Sequence, residues 1–219
     1  MLSIEQNTKK PLLIIGCGGH AKVITDIARE IGFTKIFYND SNKKKDLFLG
    51  CPVVNEDIKN YSDYFIVAIG DNFIREKVTF NFLQSNPNSM PAILVHPTSI
   101  ISENCTLGAG STVMPLCVIN SHSKIGKGVI VNTRSSLDHD NYLMDFSSVA
   151  PGVTTGGNVY IGHRSVISIG SVIKNGLIIG SDTVIGASSY VNIDIASNFV
   201  AYGSPAKIIR EREVGEKYL

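Results

Sequence analysis

Long apolar runs are missing from this 219-residue sequence: none approaches the roughly 18 to 20 residues that a membrane-spanning helix needs. The N-terminal stretch MLSIEQNTKK is polar and lacks the apolar segment of a secretory signal peptide. We therefore predict neither a membrane anchor nor a leader, and we expect a cytoplasmic protein.

An excess of charge of either sign is also missing. The 20 basic residues balance 19 acidic ones, the formal net charge is +1, and the longest run of one sign is Lys43-Lys44-Lys45. This balance offers no electrostatic footprint for nucleic acid or for an anionic membrane surface. A small molecule is the expected partner, without nucleic acid and without membrane insertion.

Cysteines are few and have no metal-binding spacing. Cys17, Cys51, Cys105 and Cys117 form neither a CxxC pair nor a Cys/His pattern typical of zinc sites. Disulfides are not expected in a reducing compartment. We predict four free, mostly buried thiols and no metal site.

The most informative feature that the sequence does contain is a repeat of six residues, which runs from Val95 without an insertion. One position of each hexad is aliphatic, and Thr155 is the single departure. Four residues later the side chain is usually small, as at Ser111, Cys117 and Ser135. The repeated positions are Val95, Ile101, Leu107, Val113, Ile119, Ile125, Val131, Leu137, Leu143, Val149, Thr155, Ile161, Ile167, Ile173, Ile179, Ile185 and Val191.

A period of six that is rich in β-branched residues fits neither a 3.6-residue helix nor a hairpin meander. It suits short strands joined by tight turns in a parallel solenoid, with three hexads closing one triangular coil. Glycine often follows the aliphatic position, as in Leu107-Gly108 and Ile161-Gly162. We predict a parallel β-helix over residues 93–219, ending in a short charged tail that forms a helix and caps the open end.

Residues 11 to about 90 follow a different pattern. An apolar strand PLLIIG is followed by a glycine loop, by a helix HAKVITDIAREIG with Val23, Ile24, Ile27 and Ile31 on one face, and by a strand KIFYND. A second run, YFIVAIGDN, leads into a helix that begins near Phe73, and MPAILVHP leads into the first coil. We predict a Rossmann-like α/β domain over residues 1–92.

Three loops of this domain should meet at one edge of the sheet, the usual crevice for a nucleotide. The first joins a strand to a helix N-terminus, where free amides and the helix dipole favour a phosphate. Ala21 stands where dinucleotide enzymes have a third glycine, so NAD is not expected. A glycine-rich turn alone is as readily structural, but the three loops together favour a sugar-nucleotide site. Their candidate residues are Gly16, Gly18, Gly19 and His20; Asn39 and Asp40; and Gly70, Asp71 and Asn72.

The best candidate for a general base is His139, which Asp138 and Asp140 flank. A neighbouring carboxylate can hold an imidazole in one tautomer and stabilise the imidazolium. A surface histidine with acidic neighbours would have the same sequence. Gly157 follows one coil later, so its bare backbone amide should stack about 4.8 Å from His139, where it could polarise a thioester carbonyl.

Outward columns of the solenoid offer a place for a coenzyme. Asn175 continues the Gly157 position, and Pro151, Ile169 and Ala187 share the equivalent hexad position on a neighbouring column. Small or apolar side chains in line would suit a pantetheine arm. An ordinary solenoid exterior would have the same composition, and both interpretations stay open.

The chain resembles the hexapeptide-repeat acyltransferase superfamily. Within it, the chain is similar to the bacterial N-acetyltransferases of nucleotide-linked 4-amino-4,6-dideoxy sugars, including the bacillosamine-pathway enzymes, and more loosely to the sialic acid O-acetyltransferases. The resemblance implies a left-handed β-helix, a homotrimer with active sites between subunits, and acetyl-CoA as the acetyl donor. The motifs are GCGGHAK, the YND strand end, IGDN, the hexads, the Asp138-His139-Asp140 centre, TTGGN and the exit turn Gly203-Ser204-Pro205-Ala206-Lys207.

The resemblance also implies roles for single residues. His139 would be the base and Asp140 its partner, at a position where many relatives have glutamate. The implied nucleotide-sugar contacts are Gly18, Gly19 and His20 at the pyrophosphate, Asp40 at the nucleobase and Asn132 at the sugar. The implied coenzyme contacts, largely on the neighbouring subunit, are Gly157, Ile169 and Ala187. Ser148 and Pro205 are further candidates for binding the coenzyme.

Three functions remain open on the sequence alone. Direct N-acetylation of a nucleotide-linked amino sugar by acetyl-CoA is favoured. O-acetylation of sialic acid or another sugar would use the same histidine on a hydroxyl group, and a non-catalytic solenoid scaffold would need neither. Dependence on a nucleotide distinguishes N-acetylation from O-acetylation. Loss of function in His139→Ala distinguishes both acetylations from the scaffold.

Overall fold

The structure, a computed structural model, describes residues 6–40, 46–54 and 56–218, so the lysine run at residues 43–45 lies outside it. The strands of its first part are β1 (Leu12–Ile15), β2 (Ile36–Asn39), β3 (Leu47–Phe48), β4 (Cys51–Val54), β5 (Tyr64–Val67) and β6 (Met90–Pro91). They form one sheet in the order β3-β4-β2-β1-β5-β6, parallel except for β3. The helices are α1 (Gly19–Glu30) and α2 (Asn72–Ser85).

The two helices pack on opposite faces of this sheet because β1 is apolar on both sides. Leu12 and Ile14 are buried in the core that includes α1, whereas Leu13 is buried with Val78 and Phe82 of α2. A continuous apolar run such as LLII favours a parallel sheet covered on both faces. The predicted Rossmann-like arrangement is confirmed.

Two details of this domain differ from the predictions. Val23 is 38% exposed, whereas Ala21, Ile24 and Ala28 are fully buried. Successive helix residues are about 100° apart, so a buried stripe centred between Ile24 and Ala28 leaves Val23 outside it. The β3–β4 hairpin was not predicted, because its short strands have no clear alternation of apolar and polar residues.

From β7 (Leu94–Val95) onward the chain forms two-residue strands at the predicted spacing. Parallel pairing joins positions eighteen residues apart, such as Thr112 with Ile130 and Ile130 with Ser148. Three hexads therefore close one coil of a left-handed β-helix. The further strands are β8 (Ile100–Ile101), β9 (Thr106–Leu107), β10 (Thr112–Val113), β11 (Val118–Ile119), β12 (Lys124–Ile125), β13 (Ile130–Val131), β14 (Ser136–Leu137), β15 (Tyr142–Leu143), β16 (Ser148–Val149), β17 (Thr154–Thr155), β18 (Tyr160–Ile161), β19 (Val166–Ile167), β20 (Val172–Ile173), β21 (Ile178–Ile179), β22 (Val184–Ile185) and β23 (Tyr190–Val191).

The solenoid has three faces, which we call sheets 1, 2 and 3. Sheet 1 contains β7, β10, β13, β16, β19 and β22. Sheet 2 contains β8, β11, β14, β17, β20 and β23, and sheet 3 contains β9, β12, β15, β18 and β21. Each coil visits the sheets in this order, so every turn lies at one of three corners.

The second residue of each strand points inward, and the aliphatic positions of the repeat form the core, with Val131 and Val149 fully buried. The small residue four positions later also points inward and satisfies backbone groups. Ser135, for example, donates a hydrogen bond to the carbonyl of Ala150, fifteen residues ahead, at 3.0 Å. The same bond joins Ser123 to Asp138, Ser165 to Gly180 and Ser171 to Gly186. We call this series the corner ladder; it pairs carbonyl groups that would otherwise be buried without a donor.

The four cysteines are thiols, and Cys17, Cys105 and Cys117 are buried. Cys105 and Cys117 occupy ladder positions, with their sulfur atoms 3.0 Å from the carbonyl oxygens of Asn120 and Asn132. Burial raises the pKa of both thiols. These two cysteines therefore act as small inward residues of the solenoid.

The C-terminal tail forms two antiparallel strands, β24 (Phe199–Gly203) and β25 (Ala206–Glu211), and the predicted helix is wrong. β24 extends sheet 1 by pairing with β22, and β25 pairs in turn with β24. An open sheet edge presents unpaired N–H and C=O groups, so strand pairing is favoured over helix formation here. The predicted cover at the end of the solenoid is present, as strand in place of helix.

A buried arginine joins the N-terminal domain to the solenoid. Arg75 of α2 is 2% exposed. Its guanidinium donates hydrogen bonds to the carbonyls of Gly70 (2.9 Å), Gly128 (2.8 Å) and Phe146 (3.0 Å). Gly70 belongs to the loop after β5, whereas Gly128 and Phe146 lie in turns that lead from sheet 3 into sheet 1. Arg75 thus fixes the loop after β5 against one corner of the solenoid.

Arg75→Met should lower the free energy of unfolding by about 3 kcal/mol, because it retains side-chain volume but removes the donor of hydrogen bonds to carbonyl groups of both parts of the chain. Urea denaturation at a fixed protein concentration measures this change. Arg29→Met, which removes an exposed arginine bound to the carbonyl of Leu49, is the control and should stay within about 0.5 kcal/mol. A loss for Arg75→Met that is no larger than this control would contradict the assigned role.

Thr155 is the polar residue in the inward aliphatic column. It is 3% exposed, and its hydroxyl has no hydrogen-bond partner in the part of the chain that the structure describes. Its neighbours in register are Leu137 and Ile173. A buried hydroxyl without a partner costs about 1–3 kcal/mol of stability.

Thr155→Val exchanges this hydroxyl for a methyl group of similar size, so we expect the free energy of unfolding to rise by about 1 kcal/mol. Thr154→Val, at the exposed position of the same strand, is the matched control and should change stability by less than about 0.5 kcal/mol. Urea denaturation at a fixed protein concentration measures the free energy of unfolding of both variants. An unchanged or lower stability of Thr155→Val would mean that the hydroxyl is satisfied.

Candidate active site

A cleft of about 870 Å³ opens at the carboxyl ends of β1, β2 and β5. Ligands of open α/β sheets bind at this edge. The cleft brings together residues from all three predicted loops. Those that line it are Gly16, Gly18, Gly19, His20, Asn39, Asp40 and Gly70.

The glycine loop after β1 is open toward the cleft. Gly16 has φ +107°, and a side chain there would start 3.2 Å from the carbonyl oxygen of Ala68, so the strand can turn only with glycine. Side chains at Gly18 and Gly19 would project into open space. Gly18 is the N-cap of α1, and no side chain in the described part of the chain forms a capping hydrogen bond there. Its first amides and its dipole are available to an anion such as a phosphate.

The loop after β5 behaves differently, and two predicted contacts are corrected. Asp71 is the N-cap of α2, and its carboxylate accepts a hydrogen bond from the amide of Ile74 at 2.9 Å. Asn72 is fully buried, and its amide group donates to the carbonyls of Arg164 and Ser165 in the solenoid. Neither lines the cleft, because capping and domain docking engage their side chains. Sequence position alone could not separate these uses from ligand binding.

Asn39 and Asp40 shape the cleft through the backbone. The carboxylate of Asp40 accepts a hydrogen bond from the amide of Cys17 at 2.9 Å, which fixes the glycine loop. The side-chain amide of Asn39 donates to the carbonyls of Val54 and Glu56, both at 2.9 Å. Asn39 therefore holds the segment that follows β4.

His20 lies in the cleft at the start of α1. Burial, and secondarily the positive charge of Arg75, lowers the pKa of His20 to about 4. The imidazole is therefore neutral at pH 7. It can exchange hydrogen bonds with a ligand, but it adds no positive charge of its own.

Part of the cleft wall was not predicted. Asp57, Ile58 and Lys59 line it from the segment after β4, which follows the unpredicted hairpin. One face of α2 supplies the other wall, with Ile74, Val78, Asn81, Phe82 and Ser85. The helical periodicity of the α2 sequence could have indicated that these residues share one face. It could not have indicated whether this face contacts a ligand or another part of the chain.

His139 lies on the turn between β14 and β15, at the corner between sheets 2 and 3. Its Nδ1 is 2.8 Å from the carboxylate of Asp140, and 54% of its side chain is exposed. A carboxylate only accepts, so Nδ1 carries the proton and Nε2 is left as a base. The hydrogen bond to Asp140 raises the pKa of His139, and the charge of Asp138 adds to this.

The predicted stacking of Gly157 on His139 is present within a single chain. A side chain at Gly157 would start 2.5 Å from Nε2 of His139, so only glycine leaves room for the ring. Among the described residues, no group accepts a hydrogen bond from the amide of Gly157. The stack therefore lies within one subunit, and coenzyme contacts from a neighbouring subunit stay a prediction.

The outward column on the corner between sheets 1 and 2 contains Pro151, Ile169 and Ala187, as predicted from the register. Ile169 is 55% exposed, and Ala187 is also exposed. β24 extends sheet 1 beyond β22, and the turn between β24 and β25 bears the exposed Pro205. The column is therefore a surface strip of small and apolar residues.

Of three other predicted residues, Asn132 and Ser148 lie apart from the His139 turn, whereas Asn175 lies at the same corner. Asn132 stands on the corner between sheets 1 and 2, where its side chain accepts a hydrogen bond from the amide of Thr133. Ser148 faces outward on sheet 1 and is 8% exposed. Asn175, one coil beyond Gly157, approaches the neighbouring Gly156.

A single chain therefore distributes these features over three corners. His139 is at the corner between sheets 2 and 3, and the Ile169 column is at the corner between sheets 1 and 2. The cleft domain is fixed by Arg75 to turns between sheets 3 and 1.

No group of three or more histidine, cysteine or acidic side chains in the described ranges could hold a metal ion. Within the same ranges, no helix is both long and apolar enough to cross a membrane.

Comparison with known proteins gives matches over both parts of the chain. Residues 11–82 match the family model described as the PglD N-terminal domain. The acetyltransferase domain of PglB from Neisseria gonorrhoeae FA1090 is 31% identical, with a TM-score of 0.85 over 91% of this chain and 99% of that one. A histidine mutant of perosamine N-acetyltransferase from Caulobacter crescentus, in complex with CoA and GDP-perosamine, is 30% identical, with a TM-score of 0.85 over 92% and 98%.

Among curated sequences, GDP-perosamine N-acetyltransferase of Escherichia coli O157:H7 is 31% identical over 113 residues, which are 49% of this chain and 50% of that protein. The aligned part of the chain thus spans about half the length of the curated N-acetyltransferases that it matches. The structural matches cover nearly the whole of both chains at about the same identity. This chain belongs to the hexapeptide-repeat family of bacterial sugar N-acetyltransferases that have a PglD-type N-terminal domain.

Proposed function

We propose that this protein transfers the acetyl group of acetyl-CoA directly to the 4-amino group of a nucleotide-linked 4-amino-4,6-dideoxy sugar. The observation that supports this most strongly is the His139–Asp140 pair over the bare backbone of Gly157, in a chain that also has a cleft suited to a nucleotide. The relatives bound to CoA and GDP-perosamine point to the same pair of substrates.

In this proposal His139 is the general base. Nε2 removes a proton from the sugar amine as the nitrogen attacks the thioester carbon. Asp140 holds the proton on Nδ1 and stabilises the imidazolium that forms. The imidazolium then returns the proton to the departing thiolate of coenzyme A, so no covalent enzyme intermediate is needed.

Gly157 would stabilise the tetrahedral intermediate. Its amide is not used by any acceptor in the described chain and lies beside the imidazole. A preorganised N–H group aimed at a developing oxyanion stabilises it without reorganisation of solvent. The glycine loop and the start of α1 would bind the diphosphate of the nucleotide sugar.

The active site would be completed between subunits of a homotrimer. On sheet 1 the outward side chains Ile130 and Val166 are buried within the chain. On sheets 2 and 3 the outward residues Val172, Tyr142 and Ile178 are 44%, 40% and 53% exposed. Burial of these apolar faces between copies would bring the three corners of different subunits together.

The first test is acetyl-CoA turnover, followed by thiol release, with UDP-, dTDP- and GDP-linked 4-amino-4,6-dideoxy sugars beside free sialic acid. We expect turnover of a nucleotide sugar, and a loss of at least about 100-fold in kcat for His139→Ala because the base is removed. His122→Ala is the matched control, since His122 is exposed at the same corner one coil earlier and bonds to Ser121. Turnover of sialic acid alone would favour O-acetylation. No turnover by the folded protein would favour a scaffold.

The pH dependence of kcat tests the pair itself. Only neutral His139 can accept a proton, so activity should rise with pH through its pKa, which the bond to Asp140 raises. Asp140→Asn should move this rise to lower pH and reduce the maximal rate, because the imidazolium loses its anionic partner. Asp138→Asn should move it in the same direction by less. A profile of Asp140→Asn that coincides with the wild type would exclude the assigned role of Asp140.

A further inference from the structure

One residue of the corner ladder differs from the rest. Asn141 stands four positions after Leu137, where most coils have serine or cysteine, and it is fully buried. It makes the usual ladder bond, from Nδ2 to the carbonyl of Gly156 fifteen residues ahead, at 3.0 Å. The same nitrogen also donates to the carbonyl of Asp138 at 2.6 Å and lies 3.4 Å from that of His139.

Asn141 therefore contacts both parts of the His139–Gly157 stack. Serine at other ladder positions donates to a single carbonyl, either in the next coil, as Ser165 does to Gly180, or in its own turn, as Ser147 does to Met144. A carboxamide nitrogen has two hydrogens and a longer reach, so it can bond to its own turn and to the next coil at once. Cys117 and Thr183 also contact carbonyls of their own turn and of the next coil, but their turns bear neither His139 nor Gly157.

The bond to Gly156 determines where the Gly157 amide points. The carbonyl of Gly156 and the N–H of Gly157 belong to one planar peptide unit, and in a trans peptide they point in opposite directions. Holding the carbonyl inward on Asn141 directs the N–H outward, toward the side on which His139 lies. The bond to Asp138 fixes the start of the turn that bears the imidazole.

Asparagine at this position is not explained by stability. Its Oδ1 is buried and has no hydrogen-bond donor among the residues described. An unpaired buried oxygen is unfavourable, and among the described serine and cysteine residues of the ladder only Ser111 also leaves one. A residue that leaves a polar atom unsatisfied next to a reactive turn is typical of a functional constraint.

We propose that Asn141 is a positioning residue, which aligns the Gly157 amide with the imidazole of His139 for the acetyl transfer. This inference rests on the proposed function. Asn141 touches neither substrate; it acts through the two backbone segments that do.

The test is Asn141→Ser, which restores the common ladder residue. We expect kcat to fall about 10-fold or more, since small displacements of reacting groups have large effects on rate. The KM for the nucleotide sugar should stay within about 2-fold, and the thermal midpoint should not decrease. Ser165→Ala, which removes a ladder bond at another corner, should leave kcat unchanged. A wild-type kcat for Asn141→Ser, or an equal loss in Ser165→Ala, would overturn the proposal.

A second measurement does not depend on activity. In protein labelled with ¹⁵N-glycine, Asn141→Ser should shift the amide resonance of Gly157 and change its hydrogen-exchange rate, while Gly180 stays unchanged. If wild type transfers no acetyl group but Gly157 responds, the proposed function fails and the structural coupling holds. An unmoved Gly157 resonance would overturn the inference whatever the activity.

Discussion

Each coil of the solenoid closes after eighteen residues, and every other feature of this half of the chain depends on that closure. Equivalent residues are stacked about 4.8 Å apart, and inward and outward positions keep their direction from coil to coil. One inserted residue would turn later aliphatic side chains outward. The repeat from Val95 to Val191 has no insertion. His139 and Gly157 therefore meet because the core requires it, and the geometry of the proposed site follows from packing.

The register also separates functions by corner. Turns between sheets 3 and 1 accept the guanidinium of Arg75 and so determine where the cleft domain sits. Turns between sheets 2 and 3 bear His139, and those between sheets 1 and 2 bear Ile169. Within a rigid triangular rod these corners cannot approach each other. Assembly around a threefold axis is the simplest way to place different corners side by side, and the exposed apolar faces of sheets 2 and 3 favour it.

The sequence predicts what periodicity controls. The strands of the solenoid, the His139–Gly157 stack and the Ile169 column follow from counting. The sequence does not predict which of several possible partners a given backbone group or side chain will contact. The tail after Ala206 forms a strand because an open sheet edge is available, and the position of Val23 depends on which stripe of α1 meets the sheet. Asn141 could have been noticed as a departure from serine and cysteine, but its contacts depend on a carbonyl in the next coil.

The two helix N-termini at the cleft show how such competition selects a site. Both follow a strand and a glycine, and both would attract an anion through their dipoles. At α2 the carboxylate of Asp71 already occupies that place, and a phosphate would meet its negative charge. At α1 the cap is Gly18, which has no side chain to compete. In the proposed function, neutral His20 leaves the backbone of α1 as the main attraction for a diphosphate, while the loop after β5 serves to attach the domain.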